Sequence, residues 1–326
     1  MGCYSQTAPD EVLAIDGVNL VLGTKDKSSV VRLIGTLKQS DKLNAVTSVK
    51  DNHTFEEMHI QRCTDRTRAY IKIQDGCSQF CSYCIIPYAR GPVRSRPESE
   101  IDAEVKKLAD AGYKEVILTG IHAAAYGCDL GDTSLGQLLT KLDKIDGIER
   151  IRLSSIEPMT LNREFVDKIK DCKKLCPHFH ISLQSGCDET LRRMNRHYTT
   201  AQFEDVVNGL REAFPDCAIT TDIMTGFAGE TDEEFAQTVD FIKRIGFADA
   251  HVFQYSERRG TPAAVRPGRV PHEIREARSK KVIAITNESH NAFLNEHIGR
   301  TMDVLYETKT KDGMYEGKTI NYITVY

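Results

Sequence analysis

Apolar and polar residues alternate along this chain with two different periods. Short apolar runs read as strands at 70–74, 115–119, 150–154, 178–183, 218–224 and 251–255. Between them the apolar spacing lengthens to three and four residues, the period of a helix buried on one side. Ile101, Val105, Leu108 and Ala109 form one such stripe, closed by Gly112 as a C-cap, and Leu135, Leu138, Leu139 and Leu142 form another. Thr199 with Gln202, and Thr231 with Glu234, have the spacing of capping boxes; the second opens a helix striped by Phe235, Val239 and Ile242. Six strands alternating with five helices predict an α/β fold with a parallel sheet and right-handed crossovers. A closed barrel needs eight such units. Six predict a partial barrel, open on one side and able to admit a macromolecule.

The unusual residues then fall on one rim. A cysteine-rich loop follows the first strand. Gly120-Ile121-His122, with Tyr126-Gly127, follows the second, and Ser154-Ser155-Ile156-Glu157-Pro158 the third. Gln184-Ser185-Gly186 follows the fourth, Thr225-Gly226-Phe227-Ala228-Gly229-Glu230-Thr231 the fifth and Tyr255-Ser256-Glu257-Arg258-Arg259-Gly260-Thr261-Pro262 the sixth. In α/β barrels the C-terminal strand ends carry the site. The flanks read differently. Residues 1–60 resemble the tail of an α/β unit, 273–297 a long helix started by Pro271, and 302–326 a strand-rich segment too short to fold alone.

Composition narrows the picture modestly. With 326 residues, 40% hydrophobic and 28% charged, the chain can build a sizeable core. A net charge of −4 argues against wholesale coating of nucleic acid and leaves room for a local basic patch. No apolar run reaches the about 18 residues of a membrane span, and the N-terminus has no export signal. A reducing cytoplasm is therefore the expected home. Of the ten cysteines, Cys63, Cys128, Cys172, Cys176, Cys187 and Cys217 read as buried reduced thiols.

Cys77, Cys81 and Cys84 are a different matter. They lie in Gly76-Cys77-Ser78-Gln79-Phe80-Cys81-Ser82-Tyr83-Cys84, directly after the first strand. Three thiolates on one loop can grip three corners of a cubane iron–sulfur cluster, leaving the fourth iron open to a small molecule. Zinc is the competing metal. A structural zinc site wants four ligands, and here a fourth, such as His122, would have to come from another loop.

The CxxxCxxC spacing after the first strand of a partial barrel resembles the radical S-adenosylmethionine (SAM) superfamily, over residues 69 to about 262. The resemblance implies a [4Fe–4S] cluster on Cys77, Cys81 and Cys84 whose open iron chelates SAM, and reductive cleavage to a 5′-deoxyadenosyl radical. It implies that Thr119 and Gly120 receive the methionine amino group, that Ser182, Gln184 and Ser185 contact the ribose, and that Gly226 and Gly229 let adenine approach the backbone. Phe80 and Tyr83 would shield the cluster and adenine.

Further motifs sharpen the family. Gln74-Asp75-Gly76-Cys77, Cys84-Ile85-Ile86-Pro87-Tyr88-Ala89-Arg90-Gly91, Ser95-Arg96-Pro97, Leu183-Gln184-Ser185-Gly186, Gly226-Phe227-Ala228-Gly229-Glu230-Thr231 and Ser256–Ala264 resemble the methylthiotransferases. Lys72-Ile73-Gln74-Asp75-Gly76-Cys77 and Leu118-Thr119-Gly120-Ile121-His122 most resemble the subgroup that adds a methylthio group to carbon 2 of threonylcarbamoyladenosine at position 37 of tRNA. Alternatives are isopentenyladenosine in tRNA, an aspartate of a ribosomal protein, and, in another class, a non-catalytic RNA-binding protein with a structural metal.

The family implies three modules: residues 1–60 as the C-terminal part of an N-terminal methylthiotransferase domain, 61–297 as the radical SAM domain, and 298–326 as the opening of a TRAM β-barrel. Cys3, in Gly2-Cys3-Tyr4-Ser5-Gln6, matches one ligand of a second [4Fe–4S] cluster whose other two cysteine motifs are not in this sequence, so the chain reads as truncated at both ends. Cys63 matches no family motif. The implied partners are a tRNA anticodon loop and an electron donor such as a flavodoxin or ferredoxin. Arg90, Arg94, Arg96, and a basic stretch with Arg258, Arg259, Arg266, Arg269, Arg275, Arg278, Lys280 and Lys281 could track phosphates, or could pair on a solvated helix. Tyr88, Tyr126 and Tyr255 are candidates for stacking on a splayed base.

Overall fold

A computed structural model describes residues 1–38, 41–56 and 67–326. Six parallel strands form the curved sheet: β1 (Arg68–Asp75), β2 (Glu115–Gly120), β3 (Arg150–Leu153), β4 (His178–Gln184), β5 (Ala218–Thr225) and β6 (Asp249–Gln254). Each predicted strand is present, with ends shifted by one or two residues. The principal helices are α1 (Glu98–Asp110), α2 (Leu135–Leu142), α3 (Arg163–Ile169), α4 (Thr200–Ala213), α5 (Asp232–Ile245) and α6 (His272–Glu296).

Alternation along the strands decides which way each residue faces. Phe179, Ile181 and Leu183 of β4 are fully buried, as are Ile71 and Ile73 of β1. They pack with Ile101 and Val105 of α1, the α2 leucines, Phe203 and Val207 of α4, and Val239 and Ile242 of α5 in one continuous core. The intervening residues of β4 are polar: the His180 ring contacts Thr220 at 3.0 Å and Asp222 at 3.1 Å. Both predicted capping boxes form, with reciprocal bonds between Thr199 and Gln202 and between Thr231 and Glu234. Such caps contribute about 1 kcal/mol each. Gly112 follows α1 at φ 91°, the left-handed conformation expected of it.

The sheet differs from an unbroken six-strand ladder. Hydrogen bonding divides it into a four-stranded part, with the two-residue strand Arg94–Ser95 on β1, and a three-stranded part, β4–β5–β6. Only isolated bridges, Ile151 to Leu175 and Ile156 to Ile181, join β3 to β4. The Cys176 amide donates to the Ile151 carbonyl, and the next donor in that ladder would be His178. The His178 amide meanwhile turns back onto the Cys176 carbonyl at 2.7 Å.

The two flanks dock on opposite ends of the barrel. Near the N-terminus, Leu20–Val21 pairs in parallel with Leu43–Asn44 around helix Val30–Thr36. Thr24 donates to the Ala89 carbonyl at 2.6 Å, behind the cysteine loop. The C-terminal strands Val304–Lys309, Tyr315–Thr319 and Thr324–Val325 form an antiparallel meander. It closes the far end, where the Tyr322 ring stacks on His178 at 4.6 Å and lies 4.5 Å from the Arg152 guanidinium. Glu115, fully buried, accepts from Arg152 at 2.9 Å beneath that plug. Among the described residues no helix is long and apolar enough to cross a membrane.

The docking leaves a pH signature. Burial, reinforced by Arg152, His180 and Lys318, pushes the His178 imidazole down to about 3 from 6.5. The unfolded chain therefore takes up this proton first. The stability that neutral His178 maintains is complete above about pH 6.5 and is lost as pH falls toward 3. We expect the urea midpoint to drop across that window and His178→Gln to make the drop shallower; identical pH profiles for the two proteins would contradict this.

Candidate active site

β1 delivers the chain to a turn that only glycine can make. Gly76 has φ 76°, and a Cβ there would lie 1.8 Å from the Pro92 carbonyl oxygen. Asp75 accepts from the Gly76 amide at 2.7 Å. Its carboxylate also meets Lys72, Arg90 at 3.3 Å and Arg94 at 3.5 Å. Burial opposes the ionisation of Asp75, but Lys72, Arg90 and the Gly76 amide outweigh it and hold the carboxyl below its ordinary value. Gln74 reaches both ways: its amide donates to the Asp75 and Gly76 carbonyls at 2.7 Å, and its oxygen accepts from the His122 amide at 2.8 Å.

The loop is held from the other side by the turn after β4. Ser82 donates through its amide to the Met194 carbonyl and through its hydroxyl to the Arg193 carbonyl, both at 2.8 Å. Asn195 donates to the Phe80 carbonyl at 2.9 Å. Between these two grips the three thiols feel one another. Burial pushes Cys77 up to about 11, with Cys81 and Cys84 adding to the rise. Cys84 is likewise raised by burial, and Cys81 and Cys3 add to it. Cys3 thus approaches the same region from the N-terminal segment, where Arg90 Nε donates to its sulfur at 3.2 Å.

Thiols kept protonated by burial, as Cys77 and Cys84 are, become ligands when bound positive charge favours the thiolate. No group of three or more His, Cys, Asp or Glu among the described residues closes on a single metal ion. Ligands that each take a different iron of a cluster need not share one point. The nine described cysteines are all free thiols. Of those expected to be buried and structural, Cys176, Cys187 and Cys217 are buried; Cys172 is half-buried and Cys128 is exposed, being in a surface turn. Cys63 lies outside the described residues.

The rim residues have individual surroundings. Thr119 donates to the Ile71 carbonyl at 3.2 Å, and Gly120 is so close to Gln74 and Ala123 that a Cβ would lie 3.0 Å from the Gln74 oxygen. The Ser182 carbonyl accepts from Arg196 and Tyr198. Gln184 is buried at φ 66°, and its side-chain oxygen has no partner. Ser185 is fully buried, its hydroxyl shared with Thr238 and the Cys187 amide. Gly226 has φ 70°, but the space left by its missing Cβ is filled by the Arg275 side chain. Gly229, at φ 81°, donates its amide to the Gly268 carbonyl at 2.7 Å. Buried polar atoms of His122, Tyr126, Ser154, Gln184 and Tyr255 all lack partners among the described residues. Each such orphan costs about 1–3 kcal/mol. These five follow the C-terminal ends of the strands, where polar atoms could meet a bound molecule.

Several expectations need correction. Arg94 and Arg96 are buried and committed to protein partners, Arg94 to the Arg90 and Pro92 carbonyls and Arg96 to Glu100 and Glu104. In the later basic stretch, Arg259 pairs with Glu11, Arg269 with Glu257, Arg278 with Glu230 and Asp232, and Lys280 with Glu276. Tyr126 and Tyr255 are buried, which removes them as stacking platforms. Phe80 is 50% exposed and packs edge-on against Tyr88, itself 46% exposed. Tyr83 is half-buried, edge-on to Phe227. A groove of about 900 Å³ runs past Cys3, Tyr4, Tyr88, Arg258 and Gly260, between the N-terminal segment and the loop after β6. Sequence reasoning missed Arg196, whose guanidinium touches Cys81; nothing in its local pattern distinguishes it from its exposed neighbour Arg192.

A family model described as the radical SAM superfamily matches residues 71–242, more than half of the chain. The chain is 40% identical over 330 aligned residues to a protein of Bacillus subtilis (strain 168) named threonylcarbamoyladenosine tRNA methylthiotransferase MtaB, covering 99% of this chain and 73% of that one. It is 36% identical to the tRNA-2-methylthio-N(6)-dimethylallyladenosine synthase of Acetivibrio thermocellus, covering 93% of this chain and 63% of that one. Among solved structures, coproporphyrinogen III oxidase of Escherichia coli, titled a radical SAM enzyme, shares the fold with a TM-score of 0.51 at 16% identity, over 69% of this chain and 53% of that one.

The ion group that closes the loop has a measurable weight. Asp75→Asn keeps a hydrogen-bond acceptor for Gly76 and leaves Lys72, Arg90 and Arg94 facing a neutral amide. We expect a loss of roughly 3 kcal/mol in urea unfolding. Lys106→Ala, which breaks the exposed pair with Asp102, should cost under about 0.5 kcal/mol. Equal losses would show that Asp75 is no more than a surface charge.

Proposed function

The chain belongs to the radical SAM superfamily and, within it, to the methylthiotransferases, and from that premise we propose that it adds a methylthio group to carbon 2 of threonylcarbamoyladenosine at position 37 of tRNA. The observation that carries this reading is the thiol trio on the loop after β1, inside a chain whose whole length aligns with a methylthiotransferase. Cys77, Cys81 and Cys84 would hold a [4Fe–4S] cluster, with an iron left open to SAM. When bound, this pair supplies the reducing electron and the carbon-centred radical on which the chemistry depends.

The chain's own residues orient and exclude. Thr119 and Gly120 end β2 beside the end of β1, in register with Lys72 and Gln74, which suits them to receive the methionine end of SAM. The unpartnered oxygen of Gln184 is an acceptor for a ribose hydroxyl. Ser182 and Ser185 belong to the same strand end; Ser185 acts by fixing its shape, since its hydroxyl is already engaged. Gly226 and Gly229 shape the loop that flanks the adenine. Cys3, which lines the groove, would be one ligand of a second [4Fe–4S] cluster. The anticodon loop enters that groove, with exposed Arg258 and Arg266 toward its phosphates and the Phe80–Tyr88 pair toward an unstacked base. A flavodoxin- or ferredoxin-class protein delivers the electron, in the cytoplasm, where thiols stay reduced. The Acetivibrio relative favours one second reading, that the target is dimethylallyladenosine.

Two measurements test these assignments. Nucleoside mass spectrometry of a strain lacking the gene should show loss of the methylthio mark on threonylcarbamoyladenosine; loss from dimethylallyladenosine instead would select the second reading. Anaerobic reconstitution of the chain with iron and sulfide should give about four irons per chain and absorbance near roughly 400 nm. Cys81→Ala should abolish both, together with reductant-dependent SAM cleavage. Full iron loading in Cys81→Ala would refute the ligand assignment, and a clean stoichiometry of about eight irons would refute the single-ligand role of Cys3.

A further inference from the structure

We propose that Arg196 is a positioning residue of the SAM cluster, holding the Cys81 sulfur through a charge-assisted hydrogen bond and setting the reduction potential of the cluster. Arg196 Nη1 donates to Cys81 Sγ at 3.4 Å. Its side chain is only 5% exposed. The remaining donors are also engaged: Nη2 with Glu157 at 2.9 Å and with the Ser182 carbonyl at 3.0 Å, and Nε with the Tyr198 hydroxyl at 3.3 Å. One guanidinium therefore ties the cysteine loop to the loop after β3 and to the end of β4.

The local chain is arranged to bring it there. Asn195 takes φ 56°, a left-handed turn that asparagine tolerates better than most residues. The four residues 193–196 then meet the loop in succession: Arg193 and Met194 accept from Ser82, Asn195 donates to Phe80, and Arg196 donates to Cys81. The first three contacts use backbone on one side or the other and would fix the loop with any side chain at position 196. The fourth places a buried positive charge on a sulfur.

Burying a guanidinium is costly unless it is paired, and Glu157 alone would pair it. The sulfur contact is what that ion pair does not require. Reduction adds a negative charge that the thiolates share, and a donor on a ligating sulfur stabilises the reduced form and raises the potential. Arg196 thus makes the cluster easier to reduce, and it holds Cys81 in place before any cluster is present.

This rests on the cluster assignment above, and iron content separates the two failures. The experiment is a redox titration, followed by electron paramagnetic resonance, of the reconstituted full chain and of Arg196→Gln and Arg196→Lys. For Arg196→Gln at full iron content we expect the reduced-to-oxidised ratio at a fixed potential to fall at least ten-fold, which is 59 mV for a one-electron couple. Arg196→Lys should recover part of the shift. A wild-type potential in iron-replete Arg196→Gln overturns the proposal. Should Arg196→Gln take up no iron, pulsed resonance on the reduced wild-type chain with ¹⁵N-labelled arginine side chains decides: a nitrogen coupling to the cluster supports the contact, and its absence overturns it. A wild-type chain that takes up no iron refutes the cluster assignment itself.

Discussion

Three thiols, Cys81 buried and Cys77 and Cys84 half-buried, crowd an eight-residue stretch of loop that the rest of the protein must hold in shape. Burial makes Cys77 and Cys84 harder to ionise, and the neighbouring Cys81 sulfur adds to the rise in both. The loop keeps its shape because it is gripped at both ends. On one side Gly76 turns where no side chain fits, and Asp75 gathers Lys72, Arg90 and Arg94 beneath it. On the other, residues 193–195 hold Phe80 and Ser82. The barrel supplies the distance between these grips: one belongs to the first strand and the other follows the fourth, so the loop spans the mouth of the half-barrel.

The same alternation that builds the core builds the mouth. Apolar residues of β1 and β4 face the helices, and the residues between them face the concave side and the rim. Polar groups at the strand ends are therefore not stray; His122, Ser154, Gln184 and Tyr255 arrive there by period and topology. The C-terminal meander closes the opposite end through Tyr322, Arg152 and His178. Groove, cysteine loop and unpartnered polar atoms thus share the end that remains open, which is where a methylthiotransferase must admit both its coenzyme and its substrate.

Much of this was legible in the sequence. Strand runs, helix stripes and both capping boxes are local patterns, and the structure contains them. The thiol spacing is local too. What the sequence hid is whatever depends on partners distant along the chain. At the seam between β3 and β4 the His178 amide turns back onto Cys176, and no period reports that. Arg94 and Arg96 look like a basic patch until Asp75, Glu100 and Glu104 are seen to consume them. Tyr126 and Tyr255 look available because burial of an aromatic at a strand end depends on which loops cover it. Arg196 was invisible for the same reason: its meaning lies in Cys81 and Glu157, more than a hundred and nearly forty residues away.

The central claim is that three protein sulfurs hold a cubane and leave one iron for the coenzyme. Mössbauer spectroscopy of the chain reconstituted with ⁵⁷Fe, before and after addition of SAM, tests it most directly. One iron in each cluster should change its isomer shift when SAM is added while the other three stay as they were. Four irons indifferent to SAM, or tightly bound zinc in place of iron, would contradict the account.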